Sequence, residues 1–397
     1  MSHSENEASE TAYLDNNATT PIVDEVVEAM LPWLREGFGN SSSPHRIGVA
    51  AARAVEAARL DVADLFGCAP DRVVLTGGGT ESIASAIHSA RRTRAGRRRY
   101  VCSTVEHPAS SAPIERFGEE GLEAVRVPVD AEGRLDRDAL FAAVDGDTAL
   151  VSLIWGNNET GVVQSRSLLT EFARHCREMG ALLHLDAVQL VGKVELEVED
   201  LGADLVSVSG HKFHAPKGVG ALYVRDDADF APLLLGGSHE ARRRAGTVNT
   251  AGVVGLGVAA RLARLHLADR AATERLRARR DRLERTVLAN VEGARVNGAG
   301  AERTVNTSNV SFPGVNGNTL LTMLSERNVF VSTGSACGSG RKKASPVLLA
   351  MGVDPDLAGS SLRLSLSRLT TDAEVDRGAA AIVESVARIR ELAPTSA

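Results

Sequence analysis

The stretch Ala181-Leu-Leu-His-Leu-Asp186, taken with Leu205-Val-Ser-Val-Ser-Gly-His-Lys212, decides the fold. Each is a short apolar run that ends at a residue able to do chemistry, the form of a buried parallel strand whose carboxyl end opens on a ligand. Similar runs lie outward on both sides: Val73 to Thr76, Tyr100 to Val105, Val125 to Val129 and Leu150 to Trp155 before, and Gly220 to Val224 after. Seven strands alternating with helical patterns predict an α/β domain built on a mostly parallel seven-stranded sheet covered on both faces. Beyond Thr247 the strand signal fades, and Ala251 to about Glu292 reads as helix rich in Ala, Leu and Arg. Three more strand-like runs follow, Thr307 to Phe312, Val329 to Thr333 and Ser361 to Ser365, then a helix from Asp372 to about Leu392. Thr371 and Glu374 fit a capping box at its start, and Val375, Ile382, Val386 and Ile389 form one apolar face. The expected division is a large α/β domain over residues 18–265 and a smaller α+β domain made of 1–17 and 266–397.

A chain of 397 residues, 43% hydrophobic and 24% charged, is neither disordered nor collagen-like and can bury a sizeable core. Its net charge of -6 gives no overall attraction to nucleic acid or to an anionic membrane. Residues Met1 to Glu10 lack the basic start and apolar segment of a secretory signal, and no stretch holds the 18 or so uninterrupted apolar residues of a membrane helix, so a cytoplasmic protein is expected. Cys68, Cys102, Cys176 and Cys337 form no CxxC pair, and no metal site is expected. The first three adjoin apolar elements and read as buried hydrophobes. Cys337 differs, because it stands in the Gly/Ser-rich segment Ser332-Thr-Gly-Ser-Ala-Cys-Gly-Ser-Gly-Arg341, ahead of Lys342 and Lys343. That pattern reads as a mobile loop in which exposure and positive charge favour a thiolate.

Asp186 and Lys212 at strand ends admit two readings on their own. They are a buried carboxylate and a surface lysine, or they are the two groups that a pyridoxal phosphate (PLP) enzyme requires, an amine for the Schiff base and a carboxylate to keep the pyridine nitrogen protonated. Leu75-Thr-Gly-Gly-Gly-Thr80-Glu81 follows a predicted strand and opens a helix, so its N–H groups and the Thr80 hydroxyl suit a phosphate. It lacks the Gly-Lys-Ser/Thr of a P-loop and the GxGxxG of a dinucleotide fold, which speaks against nucleoside triphosphate and NAD.

The whole set resembles the cysteine desulfurases, within the class V aminotransferase group of PLP enzymes. The resemblance runs through Tyr13-Leu-Asp-Asn-Asn-Ala-Thr-Thr-Pro21, Phe38-Gly-Asn-Ser-Ser-Ser-Pro-His45, Gly79-Thr-Glu-Ser82, Val105-Glu-His-Pro108, Asn157-Asn-Glu-Thr-Gly161 and His184-Leu-Asp-Ala-Val-Gln189. It continues in Ser209-Gly-His-Lys-Phe213, Arg244-Ala-Gly-Thr247, Gly334-Ser-Ala-Cys337 and Ser361-Leu-Arg363. It implies PLP-dependent fold type I, with Lys212 carrying the internal aldimine and Asp186 on the pyridinium nitrogen. Gln189 and Asn158 would address the ring hydroxyl and the substrate side, and His107 would stack on the ring and assist proton transfer. Gly79, Thr80, Ser209 and His211 would form the phosphate site, with Thr247 reaching it from the neighbouring subunit of a homodimer. Arg363 would grip the carboxylate of L-cysteine, which is converted to L-alanine while Cys337 takes the sulfur as a persulfide for an acceptor or scaffold protein.

This chain departs from the family pattern at Gly77-Gly-Gly with Ile83-Ala84, and in the basic segment after Cys337. The apparent loop length resembles the group tied to iron–sulfur cluster assembly and nitrogen fixation. The other readings are a selenocysteine lyase or an aminotransferase of the same class, which needs no nucleophilic thiol, and a catalytically silent sulfur-transfer scaffold, which needs none of Lys212, Asp186, Gln189, His107 and Arg363. The arginine run from Arg91 to Arg99 is the one local feature suited to nucleic acid, but it has no interleaved aromatic residue and reads as a solvated face.

Overall fold

The computed structural model describes residues 11–333 and 344–392. Its strands are, in chain order, β1 (Ala12–Tyr13), β2 (Val73–Thr76), β3 (Arg99–Ser103), β4 (Glu123–Val127), β5 (Thr148–Ile154), β6 (Leu182–Asp186), β7 (Leu205–Ser209), β8 (Gly220–Val224), β9 (Arg295–Val296), β10 (Thr307–Ser311), β11 (Val329–Phe330) and β12 (Ser361–Ser365). Strands β2 to β8 form the predicted seven-stranded sheet, in the order β2-β8-β7-β6-β5-β3-β4. The pairings from β7 across to β4 are parallel, whereas β8 runs antiparallel to both β7 and β2. Only a short connection with a single 3-10 turn joins β7 to β8, too little for the crossover that a parallel return requires.

Strands β5, β6 and β7 are buried along their whole length, which is why they read as continuous apolar runs and not as alternating ones. His184 in β6 is accommodated by Ser152 Oγ at Nδ1 and Ser207 Oγ at Nε2, both at 2.8 Å, so that one imidazole ties three strands together. Burial pushes its pKa down to about 3, which keeps it neutral.

The helix expected from Ala251 to about Glu292 is in fact two, Thr250–Ala268 and Arg270–Asn290. Asp269 makes the break: its N–H donates to Leu265 O at 3.2 Å to close the first helix, and its carboxylate accepts from Ala272 N at 3.0 Å to cap the second. Thr250–Ala268 is long and apolar enough by composition to cross a membrane, with a mean hydropathy of 1.3, yet half of that window is buried inside the protein. Gly257 lets it approach the helix Arg46–Phe66 closely, since a Cβ there would lie 2.6 Å from Ala58 Cα.

Two main apolar clusters result. One runs from Val23 to Ala263 around the large sheet, and the other combines Ala12 and Leu14 with residues from Leu276 to Val386 around the antiparallel sheet β12-β10-β9. The helix Asp372–Leu392 covers the second cluster, and its capping box is reciprocal: Glu374 N donates to Thr371 Oγ1 at 3.2 Å and Thr371 N to Glu374 Oε2 at 2.7 Å. The N-terminal segment joins the two regions. β1 pairs with β11, Asn16 N donates to Ser365 O at 3.0 Å, and Thr20 N donates to His211 O at 2.9 Å, which brings residues 15–20 to the carboxyl end of β7.

Candidate active site

The carboxyl ends of β3, β5, β6 and β7 deliver His107, Asn157 with Asn158, Asp186, and Ser209 through Lys212 to one edge of the sheet. Lys212 Nζ donates to the carbonyls of Asn17 at 2.7 Å and Ala18 at 2.9 Å. Burial, then the nearby Arg363 charge, lowers its pKa to about 8, close to where an amine serves as both nucleophile and base. Asp186 is buried and receives a single hydrogen bond, from Val188 N at 2.9 Å. Burial raises its pKa to about 6, leaving a carboxylate in want of a cationic partner.

Opposite these lies an anion cradle. Gly78 adopts φ 140°, open to glycine, and sits so close to β8 that a side chain on Gly220 would lie 2.7 Å from Gly78 Cα. The helix Gly79–Thr93 starts there, and its first-turn N–H groups have no acceptor within the helix. Thr80 is exposed, and Ser209 is packed beside Gly79. Glu81 receives Gly77 N at 2.9 Å and pairs with Arg244 at 2.9 Å, which braces the loop from behind. His211 Nδ1 meets Thr19 Oγ1 at 3.2 Å, and burial together with the Lys212 and Lys217 charges lowers its pKa to about 4. His107 accepts Ala109 N at Nδ1 at 3.1 Å, so the proton of its neutral ring sits on Nε2. Desolvation and then Lys212 lower its pKa.

The substrate side is built around the N-terminal segment. Arg363 Nη2 pairs with Asp15 Oδ1 at 2.7 Å and Nη1 donates to Asn158 O at 3.2 Å, while its buried Nε–H has no acceptor among the described residues. Gln189 Nε2 donates to Asn17 O at 2.9 Å, and Gln189 Oε1 accepts from Lys193 Nζ at 3.0 Å. Sequence reasoning gave no role to Asn17, Asp15 or Lys193; Gln189 and Lys193 lie four apart in the turns that follow β6. It also passed over Glu106, which is buried and accepts Ser103 Oγ at 2.5 Å and Ile154 N at 2.8 Å, and Glu159, whose Oε2 accepts Ser345 Oγ at 2.5 Å.

Thr247 is exposed and makes no hydrogen bond to this cluster among the described residues. Cys337 and the segment expected to be a mobile loop around it lie outside the described residues. The other three cysteines behave as apolar groups, with burial pushing the thiols of Cys68 and Cys102 up to about 12 and that of Cys176 well above its usual value. The arginine run is taken up by its own fold: Arg91 pairs with Glu120, Arg94 with Asp229 and Arg99 with Asp145, while Arg97 and Arg98 donate to backbone carbonyls.

A lysine and a carboxylate at adjacent strand ends, beside a helix N-terminus shaped for phosphate, define a class V aminotransferase, and the aminotransferase class-V family model matches residues 12–377. Cysteine desulfurase 2 of Trichormus variabilis is 42% identical over 384 residues, which cover 97% of this chain and 95% of that one. The cysteine desulfurase of Cereibacter sphaeroides is 46% identical over 390 residues, covering 98% and 99%. A solved NifS-like protein superposes with a TM-score of 0.87 at 34% identity, covering 95% of this chain and 100% of its own. This chain belongs to the cysteine desulfurase family within the class V aminotransferases.

The family depends on PLP in general, and the residues here fit it. The buried Asp186 carboxylate, in no ion pair among the described residues, suits a protonated ring nitrogen, and the first-turn N–H groups of Gly79–Thr93 suit a phosphate.

Proposed function

We propose that Lys212, Asp186, Gln189, Asn158, His107, Gly79, Thr80, Ser209 and His211 hold PLP, and that Arg363 and Cys337 act on L-cysteine to give L-alanine and a Cys337 persulfide. The observation that carries this reading is the buried Asp186, in no ion pair among the described residues and feeling only the charge of Lys212, placed with that lysine at the mouth of one sheet. PLP, when bound, supplies an electron sink for the carbon that loses its proton. Asp186 faces the ring nitrogen as a carboxylate. Gln189, whose Oε1 accepts from Lys193 and whose Nε2 donates one hydrogen to Asn17 O, has the second Nε2–H left for the ring oxygen. Arg363 offers its free Nε–H to the substrate carboxylate. Lys212 Nζ takes the α-proton of L-cysteine, and its lowered pKa leaves a substantial neutral fraction near pH 8. Cys337 Sγ attacks the substrate sulfur as a thiolate: the S–S bond forms, the Cβ–S bond breaks, and the electron pair left on Cβ is protonated to yield alanine.

The proposed working unit is a cytoplasmic homodimer in which Thr247 completes the neighbour's phosphate site. Supporting it are exposed apolar side chains, Leu34 at 64%, Phe38 at 82% and Leu235 at 82%. The segments bearing them meet where Ser42 Oγ lies 3.3 Å from His239 Nδ1. The division into 18–265 and 1–17 with 266–397 is supported by the two apolar clusters. The basic residues Arg341 to Lys343 suit an acidic surface on a sulfur-acceptor protein. The test is alanine formation from L-cysteine by the PLP-loaded chain, expected to vanish in Lys212→Ala; alanine from that variant at the native rate contradicts the assignment.

A further inference from the structure

Beside Lys212 the structure forms a partly open cavity of about 40 Å³, lined by residues of both apolar clusters. Its walls include Lys193, Lys212, His214, His266 and Arg368, and no Asp or Glu among the described residues lines it. Lys193 is half-buried and spends two of its three N–H donors on neutral oxygens, Gln189 Oε1 at 3.0 Å and Asn17 Oδ1 at 3.5 Å. Arg368 has no hydrogen-bond or ion-pair partner among the described residues, and burial lowers its pKa. The Nε2 of His266 is buried with no partner. The carboxylates that act on the cavity's walls do so from outside it: Glu25 on Arg368, Asp269 on His266, and Asp15 and Asp186 on Lys212. His214 lines the cavity with its Nδ1 engaged with Pro21 O at 2.9 Å.

Buried cations without a counter-charge are expensive, and a protein relieves them by neutralising the group or by admitting an anion. Here the unspent donors of Lys193, Arg368 and His266 border a space with room for one small ion or a few waters. We propose that this cavity binds a single compact inorganic anion of halide size, held by Lys193 and Arg368 with His266 as a third donor. A bound anion fixes Lys193 as an ammonium, and Lys193 in turn holds the amide of Gln189, so the anion supports the active site without touching substrate.

The test uses the full-length, PLP-loaded chain, so that the phosphate cradle is filled and cannot supply a competing site. Crystals grown in sodium bromide are measured at the bromine edge, and unfolding is followed with sodium chloride against sodium gluconate at constant ionic strength. The expected results are an anomalous peak between Lys193 and Arg368 and a saturable, chloride-specific rise in Tm. In Arg368→Met and in His266→Leu the half-saturating chloride concentration should rise tenfold or more. No bromide in the cavity, or equal Tm in chloride and gluconate, overturns the proposal. Because the bromide experiment uses the native chain and neither readout needs turnover, the result is independent of variant folding and of the catalytic assignment.

Discussion

Arg363→Lys isolates the contribution of a planar guanidinium to substrate binding. The side chain is only 6% exposed, one end is held by Asp15 at 2.7 Å, and its Nε–H has no acceptor among the described residues. Lysine keeps the charge but offers a single point of contact, so one charge-assisted hydrogen bond is lost, worth about 1.5–3 kcal/mol. At about 1.4 kcal/mol per factor of ten, kcat/KM for L-cysteine should fall about 10- to 150-fold. The assay is alanine release, run with L-cysteine and with its methyl ester. The ester lacks the carboxylate assigned to Arg363 in the proposed mechanism, so the native enzyme should lose efficiency on it, while native and variant should handle the ester within about threefold of each other. If Arg363→Lys turns over L-cysteine as well as the native enzyme, or loses as much on the ester as on the acid, the carboxylate is bound elsewhere and the reasoning fails.

Other perturbations probe the buried charges and the helix break. Burial raises Glu106 to about 8 from an ordinary value of 4.5, with Asp186 adding to the rise. A raised folded-state pKa contributes stability fully at low pH and loses it as pH climbs through about 8, so Glu106→Gln should match the native chain near pH 4 and exceed it near pH 9, by a few kcal/mol at most. Urea titration at both pH values checks this, and equal differences at the two would refute it. Asp186→Asn removes the anion proposed to face the ring nitrogen; PLP retention on gel filtration should fall and kcat should drop at least tenfold, a rough figure for an anion opposite a cation. Asp269→Ala removes the cap on Arg270–Asn290 and should lower stability by about 1 kcal/mol, read from the denaturation midpoint, with no change in KM.

How far the fold could be read depended on how local each cause was. Strands β5, β6 and β7 declared themselves because burial on both faces forces apolar residues along the whole run, and Asp186 and Lys212 stood out as charges where such runs stop. The reversed direction of β8 was not legible, since its sequence is as apolar as its parallel neighbours and its direction follows from the connection. The break at Asp269 was hidden inside a pattern of Ala, Leu and Arg that suits one helix as well as two. In the site, the glycines ahead of Thr80 were readable as a turn, but Asn17 reaches Gln189 and Lys212 across 172 and 195 residues of chain, a contact that no local pattern announces. Glu106 and Lys193 were missed for the opposite reason: sequence rules expect charged residues at the surface, whereas here hydrogen bonds from Ser103 and Ile154, and to Gln189, hold them inside.

The central claim is that sulfur leaves L-cysteine as a persulfide on Cys337 by chemistry that Lys212 makes possible. Its most direct test is intact-protein and peptide mass spectrometry of the PLP-loaded chain after a single addition of L-cysteine, with alanine quantified in the same sample and Cys337→Ala and Lys212→Ala run alongside. The account predicts one extra sulfur atom on the Cys337 peptide in step with one alanine, and neither product from either variant. Alanine formed by Cys337→Ala as fast as by the native chain, or the added sulfur found on Cys68, Cys102 or Cys176, would contradict it.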